Sequence, residues 1–342
     1  MDGRKLARIT TGALMKLVVT HLGPLSTYVS REFYYIIIDL MRTYGWKQFD
    51  TGQLWTGPGT IKRTLLNKLG EVPETILFWQ GCNFLEAHKD DIAGLECNKY
   101  IFADDLQWWN DRMRLTKLTS FELFDTILST YTYVWDKFYP ELSGRKLVWI
   151  PHSASPDFML PYNPHPANSI FLSGHITPSH PLRAKMKLLH EQGWYAITYH
   201  PHPGYQRAYN YDKDKSVGRS YAEMINGHRA GFTDCHNYKY MVAKYFEIPA
   251  TGALLVADDA VKRPLEELGF QKNQHYLPVS LENLEEQIQF VLDEKNHQQV
   301  DDIRRRGQEL VWRRHKTSDR AKQIDEVCRT ESLFKQATSK NT

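Results

Sequence analysis

Between Asn237 and Asp258 the sequence sets a helical pattern, a tight turn and an apolar strand end to end. The helical spacing is predicted to stop at Pro249, which has no N–H to donate, and Gly252 supplies the turn before the run Ala253 to Ala257. A helix, a turn and a buried strand in that order are close to half of a βαβ unit. Lys244 and Glu247 are three apart, so they share one helix face, and the pattern puts them in its last turn. A lysine there can meet a phosphate as a point charge, while a glutamate can accept two hydrogen bonds from a vicinal diol such as a ribose. Those are the two handles of a sugar nucleotide. An ordinary surface ion pair on an amphipathic helix has the same spacing.

The same rhythm runs through the first half. Leu17 to His21 reads as a buried strand, and Leu22 to Ser26 as a turn opening a helix from about Thr27 to Tyr44. Loops after strand ends line the ligand crevice of a doubly wound sheet, which makes His21, Gly23 and Ser26 candidate substrate contacts; a plain structural turn is the alternative. A turn at 57–60, a helix from Ile61 to Leu69 and strands at 76–79 and 99–103 follow. The last of these strands delivers Asp104, Asp105, Trp108 and Trp109 into one loop. Paired carboxylates can bond sugar hydroxyls or act as a base, and indole faces stack on pyranose rings, although an Asp in that place can equally cap a helix. Strands at 125–129 and 147–150 lead into a segment with prolines at 151, 156, 161, 164 and 166, a stiff linker from which His152 would look into a cleft.

The second half starts the pattern again. Ser169 to Ser173 is a strand, Gly174-His175 a turn, and Pro181-Leu-Arg183 opens a helix to about Gln192, an arrangement suited to a diphosphate. The strand at 194–199 ends in His200-Pro-His202, either two metal ligands or a braced loop lining a pocket. Tyr238, near the head of the helical pattern, and Gly252 at its turn complete the donor-side candidates. Beyond Asp258 come a helix at 262–268, a strand at 276–279, a helix from Leu281 to Glu294 capped by Ser280, and helices at 298–314 and 318–328 with a polar, mobile tail after Thr330.

The run Lys244-Tyr-Phe-Glu247-Ile-Pro-Ala-Thr-Gly252-Ala-Leu-Leu-Val-Ala-Asp258 resembles the donor-site signature of GT-B glycosyltransferases, of the group-one type seen in CgeB-like spore maturation proteins. The Gly-His and Pro-Leu-Arg pattern at 174–183 is similar to the same group. The chain departs at Lys239, where many relatives carry a second Glu. The resemblance implies an α/β fold of two Rossmann-like domains facing each other across a cleft: an acceptor domain at 1–155, a nucleotide-sugar donor domain at 156–316, and a helix at 317–342 that crosses back and ends in a flexible tail. It implies Gly174, His175, Arg183, His200, Tyr238, Lys244, Glu247 and Gly252 on the donor, and His21, Gly23, Trp108 and Trp109 on the acceptor. Asp104, Asp105 and His152 stand as the catalytic candidates. The reaction implied is transfer of a sugar from a nucleoside-diphosphate sugar to a glycan or other hydroxyl, with retention and without metal or other cofactor. The residues alone leave open a metal-dependent hydrolase built on His200 and His202, or a non-catalytic nucleotide- or carbohydrate-binding protein.

Composition bounds these readings. A chain of 342 residues with 42% hydrophobic and 13% aromatic content suits two packed domains. A net charge of +3 does not suggest a nucleic-acid binder. Arg304, Arg305, Arg306, Arg313 and Arg314 form a basic cluster, read as a solvated helix face or as a peripheral contact with an anionic membrane surface. Four cysteines without CxxC spacing point to reduced thiols in the cytoplasm. Arg4, Lys5 and Arg8 precede an apolar run broken by Lys16 and His21, so neither a signal peptide nor a membrane span is expected and the protein is expected to be soluble.

Overall fold

The computed structural model describes residues 14–54, 61–205 and 207–339, with 331–339 as backbone only. The basic residues Arg4, Lys5 and Arg8 and the turn at 57–60 lie outside the described residues. Among the described residues, eleven short strands form two sheets. The first holds β1 (Lys16–Val19), β2 (Lys47–Phe49), β3 (Thr75–Trp79), β4 (Asn98–Ala103), β5 (Thr126–Ser129) and β6 (Lys146–Trp149) in the order β2-β1-β3-β4-β5-β6. The second holds β7 (Ala167–Gly174), β8 (Ile197–Pro201), β9 (His228–Thr233), β10 (Leu254–Asp258) and β11 (Leu277–Val279) in the order β11-β10-β9-β7-β8. Every pairing within both sheets is parallel. Parallel strands need crossover helices on both faces, and inner strands are accordingly buried: Thr75–Trp79 and Thr126–Ser129 are buried at every position.

Strand order reverses between β1 and β3 in the first sheet and between β7 and β9 in the second. Loops leaving the strand ends on either side of such a reversal diverge and leave a crevice, the place where doubly wound sheets take their ligands. His21 and Gln80 follow the first pair of strands, and Gly174 and Asp234 belong to the second.

The C-terminal helix Thr317–Ser339 returns to the first sheet. It packs along the helix Glu32–Tyr44 and places Ala321, Ile324 and Cys328 in one core with Val18, Leu77 and Phe102. The helix runs on through the segment expected to be a mobile tail, because residues 317–339 contain neither Gly nor Pro to stop it.

Two elements differ from the expectation in ways that matter for the site. The helix expected over 27–44 is a short turn of helix, Leu22–Ser26, followed by Glu32–Tyr44. The helix expected from Asn237 begins only at Lys244 and passes through Pro249 to Ala250. Before it, His236 and Lys239 take left-handed backbone angles (φ 59° and 64°), which no helix accommodates. On either side of Glu247, burial of Tyr245, Phe246 and Ile248 contributes about 2 kcal/mol each, more in sum than the ~3 kcal/mol that an internal proline costs a helix. Its last carbonyl, on Ala250, accepts hydrogen bonds from Gln308 Nε2 (3.2 Å) and Trp312 Nε1 (2.9 Å). Ser280 does not cap the next long helix; that helix starts at Leu284, and Asn283 Oδ1 accepts from the Ser280 N–H.

Candidate functional site

Gly174 ends β7 with φ 108°, a conformation that favours glycine. A Cβ there would lie 3.2 Å from Arg183 Nη1 and 3.5 Å from Lys244 Cε, so its absence lets both side chains close over the backbone. Arg183 is buried and committed. Its Nε pairs with Asp234 Oδ1 at 2.8 Å, and its remaining nitrogens donate to His175 O, Thr233 Oγ1 and Asp234 O. Lys244, by contrast, makes no ion pair among the described residues and lies over the Tyr221 ring at 5.7 Å. Glu247 is 5% exposed, its carboxylate makes no hydrogen bond among the described residues, and burial raises its pKa to about 7 despite the nearby Lys244 charge. Lys244, Glu247, Gly174, His175, His200 and Tyr238 all line one cleft of about 550 Å³. Burial and the charges of Lys244 and Arg183 lower two of the imidazoles around it, His180 to about 3 and His202 to about 4.

The opposite wall of that cleft comes from the first sheet. Asp104 and Asp105 follow β4. Thr130 Oγ1 donates to Asp104 Oδ1 at 2.6 Å, and burial lifts the Asp104 carboxyl to about 7 although the His152 charge pulls it down. His152 Nε2 stands 3.6 Å from that carboxylate and 2.9 Å from the Tyr131 hydroxyl. Its Nδ1 lies 2.7 Å from Glu32 Oε2, while Glu32 Oε1 accepts from Ser153 N (2.6 Å) and Ser153 Oγ (2.8 Å). Burial alone would lower the His152 pKa; the Glu32 carboxylate, with Asp104 and Glu247 adding to it, outweighs burial and raises it to about 9. A second cavity of about 650 Å³ opens beside the first at the β1/β3 reversal. It shares Asp104, Asp105, Gln107 and Trp109 with the cleft and adds His21, Gln80 and Asn83. An anion handle and a diol handle on one wall thus face two carboxyls and an imidazole on the other.

Residues 184–326 match the family model described as Glycosyl transferase-like. Among curated proteins, none matches the chain in sequence. Among solved structures, Anabaena Alr3699/HepE, in complex with UDP and glucose, superposes with a TM-score of 0.60 at 10% identity over 93% of this chain and 100% of its own. A glycosyltransferase from Rickettsia africae ESF-5 gives 0.58 at 9% identity, over 94% and 99%. An alpha-glucosyltransferase in complex with UDP-glucose and DNA containing an abasic site gives 0.54 at 12%, over 93% and 100%. The chain has the GT-B glycosyltransferase fold. It spans 61% of the length of the pneumococcal O-GlcNAc transferase GtfA and 59% of that of TarM.

Within this GT-B frame, three expected site residues stand elsewhere. Gly252 is a turn residue (φ 86°) packed under Gln308 and Tyr162, its carbonyl bonded to Arg304 Nε at 3.0 Å, and it lines neither cavity. Trp108 turns its ring into the first core against Phe138 and Tyr139, leaving Trp109, 75% exposed, at the cavity rim. Gly23 belongs to the short helix Leu22–Ser26 and lines neither cavity, whereas His21 does and bonds Thr51 Oγ1 at 2.6 Å. Lys244 is the first residue of its helix and not part of its last turn. Neither Asp104 nor Asp105 caps the following helix; Asn110 does, accepting from Met113 N at 2.9 Å.

His200 Nε2 meets Ser216 Oγ at 3.0 Å and His202 Nδ1 accepts from Gly204 N at 2.9 Å. Among the described residues no three His, Cys, Asp or Glu side chains converge as a ligand set. Arg304 of the basic cluster is buried, bonded to Asn163 O and Asp301, so it does not join a surface patch. The four cysteines form no disulfide among the described residues, and no helix among them is long and apolar enough to cross a membrane.

Sequence reasoning missed Glu32, Asp234 and Tyr240. A Glu in the first turn of a helix reads as a partner for the helix dipole, and only the fold brings it under His152. Asp234 carried one usable signal, its place directly after the apolar run ending at Thr233.

Proposed function

We propose that this chain transfers a sugar from a nucleoside-diphosphate sugar to a hydroxyl of a glycan or glycoconjugate. The second sheet's half holds the donor and the first sheet's half the acceptor. The observation that carries the reading is Glu247: a buried carboxylate with no partner of its own, one helical turn from an unpaired Lys244, on a wall facing Asp104 and His152. Glu247 opens onto the cleft with its hydrogen-bonding capacity unused by the described residues, and a ribose diol entering there is a partner of the right chemistry for it. That two of the structural relatives were solved with UDP and a sugar or with UDP-glucose supports a uridine nucleotide as the first donor to try.

In the reaction, the bond from the anomeric carbon to the diphosphate oxygen breaks and one to the acceptor oxygen forms, while negative charge grows on the leaving diphosphate. Lys244 is placed to stabilise that charge, with the neutral imidazole of His202 as a hydrogen-bond donor beside it. No metal is required by this scheme. Retention follows if the leaving phosphate oxygen takes the acceptor proton on the same face. One observation favours inversion instead: Asp104, with a pKa raised to about 7 and His152 beside it, is suited to take that proton as a general base.

The test incubates the protein with UDP-, GDP-, ADP- and dTDP-sugars in the presence of chelator and a glycan panel, and measures released nucleoside diphosphate and glycosylated product. Transfer with chelator present supports the reading, and the product's anomeric proton coupling decides between retention and inversion. Absence of both donor binding and turnover across the panel would overturn it.

A further inference from the structure

We propose that Tyr240 is a positioning residue that ties the donor side of the cleft to the acceptor side, so that a nucleotide held by Lys244 and Glu247 orders the acid-bearing segment 104–109. This rests on the donor-site reading above.

Tyr240 precedes Lys244 by one helical turn's worth of chain, in the half of the sequence that builds the second sheet. Yet it is 4% exposed inside the core of the first half, with Tyr238 and Val242 packed against that same core. Its ring stacks on Tyr131 at 3.9 Å with planes 5° apart. Its hydroxyl accepts from Leu106 N at 3.1 Å and donates to Gln107 Oε1 at 2.9 Å. Leu106 and Gln107 directly follow the acid pair, and Tyr131 bonds His152, so one side chain touches both parts of the acceptor wall. The chain between Tyr240 and the helix has no slack: Val242 N bonds Tyr240 O at 3.1 Å and Tyr245 N bonds Val242 O at 3.0 Å. From Tyr245 onward the apolar residues belong to the core of the second half.

A ring in a core needs no hydroxyl. Phe at this position would stack as well on Tyr131, so the two hydroxyl bonds, both to the segment carrying the acids, are what set Tyr240 apart from packing. A ligand that restrains the helix Lys244–Ala250 restrains Tyr240 with it, and through those bonds removes motion from 104–109 before an acceptor arrives.

Hydrogen exchange of the full chain, read by mass spectrometry with UDP, GDP or ADP added in turn, tests this. With a nucleotide that binds, exchange at 104–109 in the parent slows on the order of tenfold. In Tyr240→Phe the nucleotide still binds but the slowing shrinks to within about twofold. Tyr139→Phe is the control, because it removes the 2.8 Å bond to the Leu106 carbonyl from within the first half and leaves the tie to the helix intact; there the slowing persists. Slowing that survives in Tyr240→Phe would mean the nucleotide touches the segment directly and overturns the proposal. Nucleotide binding without any slowing in the parent overturns it as well and leaves the donor site standing. No binding of any nucleotide overturns the donor site and this proposal together.

Discussion

Replacing Glu32 by Gln tests the buried pair behind Asp104. The amide keeps the carboxylate's shape and can still accept from the Ser153 N–H, now 2.6 Å from Glu32 Oε1, but it removes the charge facing His152 Nδ1 at 2.7 Å. In the parent, burial lowers the His152 pKa and Glu32 more than restores it, to about 9. A fall from there to the ordinary 6.5 corresponds to about 3 kcal/mol of interaction. The sign follows from linkage. A histidine whose folded pKa lies above its unfolded value contributes stability that is complete below pH 6.5 and lost as pH rises through 9. The stability difference between parent and Glu32→Gln is therefore about 3 kcal/mol near pH 6.5 and falls toward zero by about pH 9.5. Asp104 and Glu247 act in a lower window: their folded pKa values are raised to about 7, so they favour the folded state only at acid pH and lose that contribution between about 4 and 7. Urea unfolding at half-unit steps from pH 6.5 to 9.5, with the His152 ring protons followed by NMR, measures both quantities. A parent His152 that titrates below 7, or a stability difference that does not change with pH, refutes the argument.

The raised pKa of Glu247 makes nucleotide-sugar affinity pH-dependent: binding to its carboxylate strengthens by about tenfold from pH 6 to 8, and Glu247→Gln flattens the profile. A nucleotide sugar is the ligand to titrate calorimetrically, since its diphosphate does not ionise in that range. Asn110→Ala lowers stability by about 1 kcal/mol through the lost cap and leaves transfer unchanged, whereas Asp104→Asn slows transfer with little change in melting temperature. Parallel melting and rate measurements on the two variants separate these roles. Gly174→Ala, at φ 108° with Arg183 and Lys244 against the new methyl, costs about 1 to 3 kcal/mol of stability and weakens nucleotide binding, which denaturation and titration of one sample check.

The two sheets were legible because fully buried parallel strands are short apolar runs bounded by turn residues, as at Ile76–Trp79 and Leu254–Ala257. The three-residue β2 was not, since Lys47-Gln-Phe49 alternates too briefly to carry a period. Lys244 and Glu247 share one face because the helix Lys244–Ala250 contains both, although it is shorter than the pattern from Asn237 predicts. Tyr240 and Met241, four and three residues before Lys244, have helical spacing relative to it, but Tyr240 is buried in the other half's core. A local pattern records that a residue is buried and carries no record of what buries it. The same blindness hid Glu32, whose partner His152 lies 120 residues away, and put Trp108 in the cavity when its ring belongs to the core.

Titration calorimetry of the best-binding nucleotide sugar into the parent and into Glu247→Ala tests most directly whether Glu247 holds the donor's ribose. Loss of a charged hydrogen-bonding group is expected to weaken binding by about 1.5 to 3 kcal/mol with the melting temperature of the free protein preserved. Equal affinity for parent and variant would contradict the account.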